Sequence, residues 1–108
     1  MDGALFLAQR FSAILLVPMV VVHLVGIMYA IHGGLTTALI LGRTQGSFVF
    51  GTYYSLFVIV TAVHASIGMR NVLLEWTSMN RRAVAWGVLL LGVFLTVTGL
   101  RAVAAVIL

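Results

Sequence analysis

The sequence predicts an all-α integral membrane protein with three transmembrane helices, at about residues 11–31, 48–74 and 83–108. Three observations carry that prediction. Only 7% of the 108 residues are charged, against about 25% in a soluble domain, too few to cover a water-facing surface. The three apolar stretches each run to at least ~20 residues, enough for an α-helix to cross ~30 Å of hydrocarbon. The stretches are also continuous. A lipid-facing barrel strand would alternate with period two, so only helices satisfy their backbone in this pattern.

The first span, Phe11 to Ile31, follows Arg10. It is too long for the core of a signal peptide, and no small-residue cleavage site follows it, so it is expected to be retained. Pro18 lies within it and has no N–H to offer the carbonyl of Ile14. The proline is either simply tolerated or bends the helix and opens space beside His23. The connection from His32 to Gly46 has glycines near its ends and a moderately apolar centre, Leu35 to Leu41, which fits a short helix lying at the interface. The second span runs from Phe48 to Leu74. The connection Glu75 to Arg82 is short and polar, so the second and third spans are expected to be antiparallel neighbours. The third span runs from Ala83 to Leu108. No repeat, low-complexity tract or internal boundary divides the chain, and residues 1–108 read as one domain.

All six basic residues are arginines. They are too few and too scattered for a nucleic-acid surface, so no nucleic-acid partner is expected. They serve better as topology signals. Arg10, Arg70, Arg81 and Arg82 mark one side, and Arg43 and Arg101 the other, which favours an N-terminus inside. Trp76, Trp86, Tyr29, Tyr53 and Tyr54 fall near helix ends, where an aromatic belt belongs. The absence of cysteine excludes disulfides, thiolate metal sites and an iron–sulfur cluster built from this chain alone.

His64 is the residue most in need of a partner. An imidazole at hydrocarbon depth is costly and marks a metal, a cofactor, a proton path or an interhelical hydrogen bond. Gly68 is one turn on and would leave a side-chain-free surface for a flat macrocycle. Asn71 and Tyr53 lie within about 20° of His64 around the helix. One face therefore reads Tyr53, Phe57, His64, Gly68, Asn71, with Val and Leu opposite. Arg70 could pair with a haem propionate or anchor the helix by snorkelling. His23 is the second intramembrane histidine, with Ser12 and Gly26 on its face, and has the same two readings. His32 reads as a solvated loop histidine, and Arg101 as a snorkelling residue near the outer boundary. Arg10 and Ser12 either anchor the first helix or supply the cation and hydroxyl that hold a quinone carbonyl.

Heights bear on whether His23 and His64 share one iron. His23 is ~20 Å beyond Arg10, and His64 is ~9 Å from Arg70. If both arginines mark the inner surface, the imidazoles differ in depth by roughly 10 Å, which favours two haems. If Glu75 marks it instead, His64 is ~17 Å deep and one shared haem fits. Two haems need four axial ligands, so the remaining histidines would come from a second, different anchor chain or from a second copy of this one. In a symmetric pair His64 would face His64 and His23 would face His23.

The run His64-Ala-Ser-Ile-Gly68-Met-Arg70-Asn-Val-Leu-Leu-Glu75 resembles the second-helix motif of the cytochrome b anchor subunit of succinate dehydrogenase and fumarate reductase. Gln9-Arg10-Phe11-Ser12-Ala13 is similar to that family's first-helix His-Arg-x-Ser-Gly, with Gln9 in place of the histidine and Ala13 in place of the glycine. Phe6 stands where some members carry a quinone-binding serine. The resemblance covers nearly the whole chain. It implies three spans in a larger bundle, in the bacterial cytoplasmic (inner) membrane, as part of respiratory complex II and the tricarboxylic acid cycle. It implies His64 as an axial ligand to haem b, His23 as ligand to a second haem nearer the outer face, and Gly68 and Arg70 in the haem environment. Arg10 and Ser12 would lie at a quinone site. The implied partners are a flavoprotein subunit, an iron–sulfur subunit and another anchor chain. The chain would pass electrons to quinone and would not itself carry the dicarboxylate active site.

Other functions are conceivable. The same anchor could serve a different flavin and iron–sulfur dehydrogenase, or the chain could be a cofactor-free packing subunit. A small multidrug-type transporter would need four spans and a buried carboxylate in the first. Here there are three spans, and the acids, Asp2 and Glu75, fall near the surface.

Overall fold

The computed structural model describes residues 3–108, which form four α-helices. Three of these are long and apolar enough to cross a membrane: α1 (Gly3–Gly33), α3 (Phe48–Trp76) and α4 (Arg81–Ile107). The short α2 (Thr37–Thr44) joins α1 to α3. Asp2 lies outside the described residues.

The spans fall where the sequence predicts, with one difference in length. α1 begins at Gly3 rather than near Phe11. Residues 4–8 read Ala-Leu-Phe-Leu-Ala, which favour helix, so Arg10 sits inside the helix instead of flanking it. At 1.5 Å per residue the 31-residue helix is about 46 Å long, so it outruns the ~30 Å hydrocarbon layer. α1 runs unbroken through Pro18.

Side-chain caps define the helix starts. Thr36 accepts from the Leu39 amide at 3.2 Å, Ser47 from Phe50 at 3.1 Å and Asn80 from Arg82 at 2.7 Å. Each satisfies an amide that the first helical turn leaves unpaired. Gly34 and Gly46 punctuate the α1–α2 and α2–α3 turns with φ of 104° and 75°, a region that L side chains rarely enter.

α3 is the central helix. α1 packs on it, α4 packs on it, and α1 and α4 barely meet. The α3–α4 seam is antiparallel and is built on glycine. A Cβ at Gly92 would lie 2.9 Å from Ser66 Oγ, and one at Gly99 would lie 2.5 Å from Val58 Cγ1. Gly51 on α3 faces Ile107 in the same register. Gly92 and Gly99 are seven residues apart, so they share one face of α4. Small residues allow close backbone approach, which drives helix association where lipid removes the hydrophobic incentive. Val84, 1% exposed, closes the seam at the other end.

The α2 segment ties off the end of α4. Thr44 Oγ1 donates to Val106 O at 2.7 Å, the Gly46 amide to Ile107 O at 2.7 Å and Gln45 Nε2 to Leu108 O at 3.2 Å. A helix C-terminus leaves four carbonyls without partners, and this segment supplies donors to three carbonyls there. The short helix predicted in this connection therefore exists, and it packs on α4 rather than standing alone.

Most of the bundle surface remains uncovered. Buried apolar residues are few among the described ones: Met19, Val60, Ala62, Ile67 and Val84.

Candidate functional site in the seam between the first and third helices

The stripe Tyr53, Phe57, His64, Gly68 is where α1 docks. Tyr53 OH donates to Met19 O. Phe57 meets the His23 ring edge-on, 5.1 Å between centroids. His64 Nδ1 lies 3.1 Å from Ser12 Oγ. A Cβ on Gly68 would meet Gln9 Nε2 at 3.4 Å, so the glycine surface lies against the Gln9 amide of α1. Asn71, at the end of the stripe, accepts from Arg70 Nη1 at 3.4 Å.

Ser12 is 6% exposed and is hydrogen-bonded on two sides. Its hydroxyl donates to Gln9 O at 2.9 Å and contacts His64 Nδ1. This was the partner that the sequence left unidentified. The two residues are 52 positions apart, and only the α1–α3 register joins them. Gln9 Oε1 is buried beside this contact without a hydrogen-bond partner among the described residues.

His23 sits at a different height. Its ring touches Phe57 and, at 6.2 Å, Tyr54. Phe57 is seven residues from His64 on α3, and Ser12 is eleven from His23 on α1. The two imidazoles are therefore roughly 10–16 Å apart along the bundle. A metal–imidazole bond is about 2 Å long, so one ion cannot take both. Beside His23 opens a cavity of about 370 Å³, lined by Ile40, Thr44, Tyr54, Phe57 and Gly99 among others. Among the described residues, no three His, Cys, Asp or Glu side chains converge as a metal cluster.

The arginines fall elsewhere. Arg10 is exposed, with its guanidinium carbon 6.0 Å from the Phe6 ring centroid. Ser12 faces α3, so the structure does not bring the two together, as positions two apart on a helix point away from each other. Arg70 lines a groove of about 660 Å³ between α3 and α4, together with Ser66, Gly92 and Thr96. It is some 120° around α3 from His64. Arg43 stacks on Tyr29 at 5.3 Å, and its Nη1 is buried without a hydrogen-bond partner. His32 is exposed and bonds the Met28 carbonyl at 2.8 Å, a helix-end contact.

Two of the five aromatics expected in a membrane belt belong to the α1–α3 seam. Tyr53 and Tyr54 are half-buried against α1 and against each other: Tyr53 lies on the His64 face, and Tyr54, about 80° around the helix, turns toward His23. Trp76, 82% exposed, Trp86 and Tyr29 remain at the surface. Glu75 is exposed at the end of α3.

A family model described as the succinate dehydrogenase/fumarate reductase transmembrane subunit matches residues 1–99. No match to a curated protein or to a solved structure was found.

Proposed function

The chain belongs to the succinate dehydrogenase/fumarate reductase transmembrane-subunit family, and on that premise we propose that it binds haem b and quinone and carries electrons between a flavoprotein/iron–sulfur head and the membrane quinone pool. It is a multi-pass membrane subunit of an oxidoreductase complex, and the dicarboxylate chemistry belongs to another subunit. The arginine placement supports an N-terminus inside, and the family resemblance is what points to a bacterial cytoplasmic membrane.

The observation that carries the reading is His64. It is an imidazole within a membrane span whose Nδ1 contacts a buried hydroxyl at 3.1 Å. A metal-bound histidine characteristically ties its second ring nitrogen to such a partner. The donor chemistry therefore fits a haem iron at Nε2. A haem held by His64 would supply one-electron transfer.

His23 is the ligand for a second haem nearer the opposite surface. The height difference and the aromatic cavity beside it support this assignment. This chain offers one imidazole at each height, so a second anchor chain, or a second copy of this one, completes each pair. Arg10 supplies the cation at the quinone site, where it can donate to a quinone carbonyl. Gly68 and Arg70 lie in the wider haem environment, Gly68 one turn from His64 on the same face and Arg70 by placing charge near the membrane surface.

The test is the isolated complex. It should show a low-spin haem spectrum, and His64→Ala should lose the corresponding haem. A His64→Ala complex that keeps its full haem content sinks the ligand assignment. Haem-to-chain stoichiometry separates one haem from two.

A further inference from the structure

We propose that Ser12 is a positioning residue for His64, fixing its imidazole as the Nδ1–H tautomer and presenting an unprotonated Nε2 to the haem iron. The proposal rests on His64 being a haem ligand.

Proton counting at Ser12 fixes the tautomer. A serine hydroxyl carries one proton. Ser12 Oγ lies 2.9 Å from the Gln9 carbonyl oxygen, which can only accept, so the hydroxyl proton lies on that bond. The contact with His64 Nδ1 at 3.1 Å then needs a proton from the ring side. A neutral imidazole has a single N–H. With that N–H at Nδ1, the lone pair is at Nε2. The opposite tautomer would set the Nδ1 lone pair against the lone pairs of Ser12 Oγ.

The surroundings enforce this arrangement. Ser12 is 6% exposed, so little water competes for the contact. α1 packs against α3 here, with the Gln9 amide lying against the Gly68 surface one turn from His64. Tyr53 pins the same two helices eleven residues away on α3. The carbonyl–hydroxyl–imidazole chain is thus built by the seam, not by a mobile surface group.

The same count bears on the quinone. A quinone carbonyl must be given a proton donor, and the only proton on Ser12 is committed to Gln9. Ser12 and Arg10 also face different ways. The geometry leaves Arg10 as the donor and moves Ser12 to the haem ligand.

The experiment uses the purified complex with Ser12→Ala, Ser12→Thr and Ser12→Cys. Removal of an outer partner of a metal-bound histidine commonly costs 10–100-fold in affinity. Ser12→Ala should lower haem affinity by about that factor. It should also raise the haem midpoint potential, because an imidazole without its acceptor is a poorer donor to ferric iron. Ser12→Thr keeps the hydroxyl and should restore both readouts, and the KM for quinone should not move. Ser12→Cys keeps the volume but offers only a weak acceptor, and should behave as Ser12→Ala.

Wild-type haem affinity and potential in Ser12→Ala overturn the proposal, as does a change confined to the quinone KM. Failure of both the Ala and Cys complexes to assemble, with added haem unable to restore them, also overturns it, because Ser12 would then be a packing residue. Full haem content in His64→Ala removes the premise. Loss of haem in His64→Ala with no change in Ser12→Ala removes this proposal alone.

Discussion

Replacing Gly99 with alanine tests the α3–α4 seam most directly. A Cβ there would lie 2.5 Å from Val58 Cγ1, 2.9 Å from Cγ2 and 3.3 Å from Cβ. Carbon atoms rest at about 3.5–4.0 Å, so the closest contact is about 1 Å too short. Val58 cannot easily turn away. Its side chain is branched at Cβ and strongly favours one rotamer in a helix, and its Cβ is itself among the close atoms. Overpacking of this kind costs about 1–3 kcal/mol. Alanine also has the better helix propensity, by up to about 1 kcal/mol, and this must be subtracted. Gly87→Ala is the control, since a Cβ there meets nothing within 4 Å. The difference between the two variants should be about 1–3 kcal/mol, or roughly 5–150-fold in the equilibrium constant for separating α3 from α4. The chain has no cysteine, so a pair introduced near the start of α3 and the end of α4 can carry dyes. Energy transfer during SDS titration of the solubilised assembly then reads the separation. Val58→Ala should recover part of the loss in the double variant, a non-additivity expected of contacting residues. Equal stability of the Gly99→Ala and Gly87→Ala forms, or a double variant no better than Gly99→Ala, would refute the reasoning.

Two further substitutions probe the caps. Thr44→Val keeps the shape but removes the hydroxyl that donates to Val106 O; it should cost about 1–2 kcal/mol and speed amide exchange at Gly46 and Leu108, and unchanged exchange there would count against the clamp. Asn80→Ala removes the α4 cap on Arg82 and should cost about 0.5–2 kcal/mol, seen as fraying of the first turn of α4 by hydrogen exchange; protection equal to wild type would show that the cap contributes nothing.

Local features of the sequence were legible because they need no partner. The three apolar runs, the short polar α3–α4 connection and the short helix in the first connection all follow from composition over a window. The start of α1 did not, since Arg10 looks like a flank until the apolar helix formers before it are counted. The stripe on α3 was also readable, because 100° per residue fixes which side chains share a face. What touches that face was not. Tyr53, Phe57, His64 and Gly68 could equally have lined a cofactor or a neighbouring helix, and only the antiparallel register of α1 pairs them with Met19, His23, Ser12 and Gln9. The same limit holds for Ser12, whose reading as anchor or quinone group came from its neighbour Arg10, while its contact with His64 lies on another helix. A helical spacing argument does carry a hint, because Ser12, Met19 and His23 share one face of α1. Gly99 against Val58 and Thr44 against Val106 leave no such trace, since both depend on how far one helix slides along another.

The central position of α3 makes the bundle behave as two leaves on one spine. One leaf, α1, carries the hydroxyl that contacts His64. The other, α4, is locked by glycines and by the α2 clamp, and the two leaves barely touch. A slide of α1 by a single helical turn, about 5.4 Å, would part Ser12 from His64 while leaving every α3–α4 contact in place. Strain entering through α4 reaches the imidazole through α3, or through the α2 clamp, whose Arg43 stacks on Tyr29 of α1. A subunit docking against α1 therefore acts on the ligand geometry directly, whereas one docking against α4 acts on it only through α3 or the α2 clamp.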